Sequence, residues 1–269
     1  MNLHFTKMHG LGNDFIVVHW PSPDPLPPEI TTRLCDRHTG IGADGILLLV
    51  PTQRADIQMI VLNADGSRPE MCGNGLRCAA FHTASSTHPH SASVPITVLT
   101  DVGLRACLVE PVTPDLALVS ADMGTYSEPA PLRLHAADTQ LDLLVVSMGN
   151  PHAVLFTPDA DTTFDALAPH VARHPHFETG VNATFARLLE PNHLQLHVWE
   201  RGVGPTLACG TAACATAAAA LSRGLVDPTR PITARLPGGE LTIEIQPDSR
   251  TLRLRGPATR VFEGDVSIP

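Results

Sequence analysis

The chain has 269 residues, 43% hydrophobic and 17% charged, with 27 acidic against 18 basic side chains and a formal net charge of −9. This composition is globular rather than disordered, and without a basic run it gives nucleic acid nothing to bind. One residue, Lys7, is the chain's only lysine. Pyridoxal phosphate is carried as a Schiff base on lysine, so a pyridoxal enzyme is not expected.

No stretch approaches the ~18 apolar residues of a membrane span. Residues 1–12 lack the basic and apolar segments of a signal peptide. The expected location is the cytoplasm, where Cys35, Cys72, Cys78, Cys107, Cys209 and Cys214 are reduced thiols.

Hydrophobic patterning predicts strands over 15–18, 46–50 and 57–62, and a helix over 28–36. A second helix follows Cys72 and runs to about Ala84. Strands are predicted over 96–99, 104–109, 143–146 and 194–199. A third helix follows Cys209 to Leu221 and stops at Gly224, a C-terminal signal. Strands over 241–245 and 251–254 complete the list. Segments 21–28, 85–95, 126–131 and 157–163, rich in Pro, Thr, His and Asp, read as loops.

The chain also repeats itself at half length. Gly12-Asn13 recurs as Gly149-Asn150, and Cys72-Gly73 recurs at the same offset as Cys209-Gly210. Strand-like segments ending at Asn63 and Glu200 precede the two cysteines at the same distance. Pro95-Ile96-Thr97 recurs as Pro231-Ile232-Thr233, one position short of that offset. The expected fold is α+β, with two similar halves related by a pseudo-twofold axis and the active site in the cleft between them.

Cys72 and Cys209 then become equivalent residues, each at the end of a Gly-rich loop and the start of a helix. A helix N-terminus offers unpaired N–H groups and the positive end of the macrodipole, both of which favour thiolate. The glycine after each cysteine lets a ligand approach the backbone, and the same N–H groups bind a carboxylate. A small amino acid held between two such ends has a sulfur on each face of its α-carbon. One thiolate removes the α-proton and the opposite thiol returns one, which inverts the centre. Cys35, Cys78, Cys107 and Cys214 read as buried packing residues.

Longer motifs carry a family resemblance. They are Lys7-Met-His-Gly-Leu-Gly-Asn-Asp-Phe15, Asp36-Arg-His-Thr-Gly-Ile-Gly-Ala-Asp44, Asn63-Ala-Asp-Gly-Ser67 and Met71-Cys-Gly-Asn-Gly-Leu-Arg-Cys78. They continue with Gly149-Asn-Pro-His152, Val181-Asn182, Glu200-Arg-Gly-Val-Gly204 and Ala208-Cys-Gly-Thr211. Over nearly its full length the chain resembles diaminopimelate epimerase, whereas the Cys-Gly pairs alone suggest only the wider group that includes proline racemase. The resemblance implies a cofactor-independent, metal-free isomerase that interconverts LL- and meso-diaminopimelate in lysine and peptidoglycan precursor synthesis. It implies Cys72 and Cys209 as the acid/base pair. Asn13, Asn63, Asn150, Asn182 and Arg201 would bind substrate, with Gly73, Asn74, Gly210 and Thr211 on the α-carboxylate. Glu200 and His152 would support the thiols, Glu200 also standing near the substrate. It further implies barrel-like sheets around a helix in each half (1–118 and 119–263), a tail, 264–269, that returns to the first half, and a homodimer.

Several positions depart from the family pattern. Pro205 stands where Glu is usual, Ala212 where Gly is usual, and Gly45 where some members carry a polar residue. Asn13, Asn63 and Asn150 also suit turns, and Glu200-Arg201 suits a solvated surface pair. His170, His174 and His176 cluster, but Pro175 and the lack of a neighbouring Cys or carboxylate speak against a metal site. A racemase of another amino acid, such as histidine or a proline derivative, a non-catalytic binding protein, and a Cys72–Cys209 redox pair are the alternatives.

Overall fold

A computed structural model describes residues 2–268. In chain order the elements are β1 (Asn2–Gly10), β2 (Asn13–His19), α1 (Pro28–Cys35), β3 (Gly45–Val50), β4 (Ile57–Asn63), α2 (Gly73–Thr87), β5 (Val94–Thr100), β6 (Gly103–Thr113) and β7 (Leu116–Thr125). Then come β8 (Ala130–Ala136), β9 (Thr139–Ser147), β10 (Pro151–Phe156), α3 (Ala160–Ala172), β11 (Asn182–Glu190), β12 (His193–Glu200) and β13 (Gly204–Thr206). Last are α4 (Gly210–Ser222), β14 (Ile232–Leu236), β15 (Gly239–Gln246) and β16 (Thr251–Ser267).

The chain forms two compact units, one running to Ala121 and resuming at Gly256, the other Asp122–Arg255. The boundaries fall inside β7 and β16, not at the expected 118/119 and 263/264. Long strands whose two ends belong to different units leave no linker for composition to reveal.

In the first unit the strand order is β1-β2-β3-β4-β5-β6-β7-β16, and β16 pairs back onto β1 antiparallel, closing an eight-stranded ring. β3 (GILLLV) is buried at every position, which requires cover on both faces of the sheet. Alternation divides its side chains. Ile46, Leu48 and Val50 join Leu34 and Cys35 of α1 in a core that includes Ile16, Val18, Ile60 and Leu62. Leu47 faces the other way, toward α2 at Gly75.

The second unit runs through its strands in the order β16-β15-β14-β12-β11-β10-β9-β8, with β13 on β12. α3 supplies Phe164, Ala168 and Val171 to a core with Ala183 and Phe185 of β11. α4 buries 11 of its 13 residues, from Gly210 to Ala220. A helix enclosed all round needs small side chains to admit the strands, and its alanines provide them.

The repeat holds at the level of register. Phe15 pairs with Gly45 across the parallel strands β2 and β3, and at the cysteine offset His152 pairs with Asn182 across β10 and β11. Ile57 pairs with Val98, and Leu194 with Ala234, so the later strand keeps the offset shortened by one position.

Prolines hide several elements from the sequence pattern. The loop expected over 157–163 gives way at Ala160 to α3, which carries Pro169 inside it. The strand expected over 251–254 continues through Pro257 to Ser267. β8 begins inside the expected loop 126–131, and β1, β7, β10, β11, β13 and β14 add strands outside the expected set.

Candidate active site

Cys72 and Cys209 are the N-cap residues of α2 and α4, with nearly identical extended backbones: φ −139°, ψ 105° and φ −135°, ψ 112°. The extended cap turns the Cys72 side chain toward the first-turn N–H groups that lack partners within the helix. Cys72 Sγ accepts the N–H of Gly75 at 3.3 Å. Cys209, buried at 6% exposure, meets Thr211 Oγ1 at 3.4 Å. A Cβ at Gly75 would stand 2.9 Å from Leu47 Cδ2 and 3.4 Å from Cys72 Sγ, so a larger residue there would have to displace Leu47 beside the sulfur. At the repeat-equivalent positions stand Ala212 and, in place of Leu47, the smaller Thr184, both fully buried. The departure at Ala212 thus goes with a smaller side chain at the position equivalent to Leu47.

In the first unit, Asn13 donates from Nδ2 to Asp44 Oδ2 at 2.9 Å and accepts from Asn74 Nδ2 at 3.0 Å. Asn74, the second residue of α2, is 2% exposed. Asn63 ends β4 and donates to Ser67 Oγ at 2.9 Å, with backbone bonds closing the same turn. It therefore shapes its loop as a turn residue does. Gly73 opens α2 beside Cys72.

In the second unit, Asn182 accepts the backbone N–H of Arg201 at 2.9 Å and donates to the Pro151 carbonyl at 3.1 Å. Arg201 Nη1 donates to Thr179 Oγ1 at 3.3 Å. Its stem crosses Gly180, where a Cβ would lie 3.3 Å from Arg201 Cγ. Glu200 Oε1 accepts from Thr206 Oγ1 at 2.7 Å. Pro205 lies on the short strand β13 opposite Trp199, an edge position that tolerates proline. Arg201, Trp199, Phe177, Arg173 and Pro205 line a cavity of about 550 Å³. Gly210 and Thr211 open α4 beside Cys209.

His152 is fully buried, with Nε2 3.0 Å from Asn150 Oδ1 and Nδ1 buried without a partner. Burial, reinforced by the charge of Arg201, pushes it down to about 3. It is an uncharged imidazole at neutral pH. Burial pushes the Cys35 and Cys78 thiols up to about 12, in keeping with packing roles.

His170 lies in the last turn of α3, His174 Nε2 is 3.2 Å from the His135 carbonyl, and His176 packs on Phe177. Among the described residues no group of three or more His, Cys, Asp or Glu is placed to hold a metal, and no helix is long and apolar enough to cross a membrane.

A sequence profile of diaminopimelate epimerases matches residues 5–128 and 144–261. The chain belongs to the diaminopimelate epimerase family. A diaminopimelate epimerase of Desulfitobacterium hafniense is 40% identical over 280 residues, covering 97% of this chain and 97% of the relative. One from Methanococcus maripaludis is 37% identical over 281 residues, covering 99% and 100%. Among solved structures, a hydroxyproline epimerase from Agrobacterium vitis superposes with a TM-score of 0.74 at 18% identity, over 98% of this chain and 91% of that one. A phenazine biosynthesis protein of Bacillus anthracis gives 0.69 at 13% identity, over 100% of each chain. At these identities the likeness is one of fold.

Sequence reasoning assigns no role to Lys7, Asp14, Arg37, Asp44 or Arg77, although the family motifs contain all five. The structure joins them to Asn13 and Asn74 in one network. The available signal is five charges confined to three Gly-rich motifs, two of which carry proposed substrate ligands.

Proposed function

We propose that this protein is a cofactor-independent isomerase that interconverts LL- and meso-diaminopimelate, with Cys72 and Cys209 as the proton-transfer pair. The observation that carries the reading is the matched pair of N-cap thiols in a chain of this family. One sulfur, as thiolate, takes the α-proton, so the Cα–H bond breaks and an S–H bond forms. The other, as thiol, protonates the opposite face, and the two exchange protonation states over one turnover. First-turn N–H groups of α2 and α4 stabilise the thiolate and the charge that builds on the substrate carboxylate.

Asn74, Gly73, Gly210 and Thr211 hold the α-carboxylate. Arg201 forks the distal carboxylate, with Asn13, Asn63, Asn150 and Asn182 around the two amino-acid heads. Glu200 and the neutral His152 orient the thiols and accept hydrogen bonds from them. The chain works in the cytoplasm, without metal, as a homodimer, which sedimentation at two protein concentrations measures.

The test is proton NMR of reduced protein with LL-diaminopimelate in heavy water, beside Cys72→Ala and Cys209→Ala. Loss of the α-proton signal with appearance of the meso isomer, abolished in both variants, is expected. Turnover of another amino acid and none of diaminopimelate makes the protein a different racemase. Binding without exchange makes it a binding protein.

A further inference from the structure

We propose that Asp44 and Arg77 are positioning residues: from opposite ends of one hydrogen-bond chain they set the direction of the Asn13 and Asn74 amides, and so the group that Asn13 turns to the substrate. The proposal rests on Asn13 being a substrate ligand.

The chain has four members. Arg77 Nη2 donates to Asn74 Oδ1 at 2.9 Å, Asn74 Nδ2 donates to Asn13 Oδ1 at 3.0 Å, and Asn13 Nδ2 donates to Asp44 Oδ2 at 2.9 Å. A carboxamide can be turned over, exchanging its donor and acceptor ends. A guanidinium only donates and an ionised carboxylate only accepts. With one at each end, both amides have a single allowed direction. Reversing either sets N–H against N–H or oxygen against oxygen.

Both ends are anchored. Arg77 is 0% exposed and also donates to the carbonyls of Gly73 and Pro257, at 3.3 and 3.2 Å. Its guanidinium fits because residue 10 is glycine, where a Cβ would stand 2.9 Å from Nη2. Asp44 accepts Arg37 Nη2 on Oδ1 at 2.7 Å and the Asp14 N–H on Oδ2 at 3.1 Å. Arg37 and Lys7 both pair with Asp14, at 2.6 and 2.5 Å, and Lys7 also donates to the Gly42 carbonyl. Burial would raise the Asp14 carboxyl, but hydrogen bonds from Arg37 and Lys7 outweigh it and hold it down to about 2. Asp44 thus accepts on both oxygens, from Arg37, the Asp14 N–H and Asn13, and is the accepting end of the chain.

With one N–H given to Asp44 and its oxygen given to Asn74, Asn13 keeps its second N–H to offer. That suits a carboxylate or carbonyl oxygen of the substrate. If Asp44 becomes asparagine, its side chain can donate as well as accept, and only the bond from Asn74 still opposes an Asn13 that presents the wrong end.

The test compares wild type, Asp44→Asn, Arg77→Gln and the double variant N13D/D44N, by epimerisation kinetics, thermal unfolding and ¹⁵N NMR of the asparagine side chains. Losing one oriented hydrogen bond predicts that D44N raises KM about tenfold, with kcat changed by less than about threefold. Arg77→Gln loosens the chain at its other end, where only the Asn74–Asn13 bond then opposes a reversed Asn74, and is expected to raise KM in the same direction, which keeps the test open if D44N fails to fold. In N13D/D44N the carboxylate at position 13 accepts from both neighbours, so stability is recovered while KM stays high. A wild-type KM in D44N, or a KM that recovers together with stability in the double variant, overturns the proposal. NMR reads the substrate-free protein. Slowly rotating Asn13 and Asn74 amides in wild type that become mobile in D44N support the inference, and unchanged amides overturn it. Failure of wild type to turn over diaminopimelate would fell the substrate reading alone, and the NMR arm would still decide this one.

Discussion

Asn182 takes the backbone N–H of Arg201 on its oxygen at 2.9 Å and gives its own N–H to the Pro151 carbonyl at 3.1 Å. One buried amide therefore ties the start of β10 to the turn after β12. Asn182→Ala strands two backbone groups and is expected to cost about 1–3 kcal/mol. It should also raise KM by loosening Arg201. Urea midpoints measure the first effect and steady-state kinetics the second. A loss of stability with KM unchanged would confine Asn182 to a structural role.

Gly75 and Leu47 predict a rescue. Gly75→Ala should destabilise by about 1–3 kcal/mol through overpacking and displace the Cys72 sulfur, lowering kcat. Adding Leu47→Thr reproduces the Thr184 and Ala212 pair of the second unit and should restore most of the stability. Denaturant midpoints of the single and double variants decide it. Equal midpoints would show that Leu47 moves aside without penalty.

A buried and a half-buried histidine, His152 and His82, make stability fall in mild acid. Burial, then the charges of His19 and Arg260, push His82 down to about 4, and burial pushes His152 down to about 3. Unfolded histidine titrates near pH 6.5, so below that the unfolded chain binds more protons than the folded one. Stability is full above about 6.5 and declines toward 4, by up to about 1.4 kcal/mol per pH unit for each group. Urea midpoints at pH 7 and pH 5 should differ less in His82→Gln than in wild type. An equal difference would show that His82 is solvated.

Asp14 acts lower on the scale. Its folded carboxyl lies near 2 against an ordinary 3.8, so the stability it contributes is complete above about pH 4 and disappears as pH falls toward 2. Lys7→Met removes one of the groups that hold it down. Acid unfolding followed by circular dichroism should begin at higher pH in that variant, and an unmoved acid limb would mean that Arg37 suffices.

The features legible in the sequence are those that depend on local chemistry or on repetition. Cys72 and Cys209 stand out because a cysteine followed by glycine before a helix has a small menu of uses, and because the offset that relates them also relates their strands. Phe15 and Gly45 against His152 and Asn182 show that offset surviving in the pairing of the sheet. The charged network is not legible. Lys7 lies on β1, Asp14 on β2, and Arg37 and Asp44 in the segment that leads into β3, and only the parallel pairing of β2 with β3 brings Asp14 beside Asp44. α3 and the far end of β16 escape for another reason. Pro169 and Pro257 read as breakers, and tertiary packing overrides them.

The chain's single lysine is buried, 7% exposed with its ammonium engaged by Asp14 and the Gly42 carbonyl. An amine-directed acylating reagent therefore meets no side-chain amine on the folded surface. Reaction at Lys7 requires β1 to part from the Gly42 loop, an opening of the unit that carries Cys72. The rate of that one modification, read by mass spectrometry, is a clock for local unfolding. It keeps time without any engineered label, because composition left a single side-chain amine and the fold closed over it.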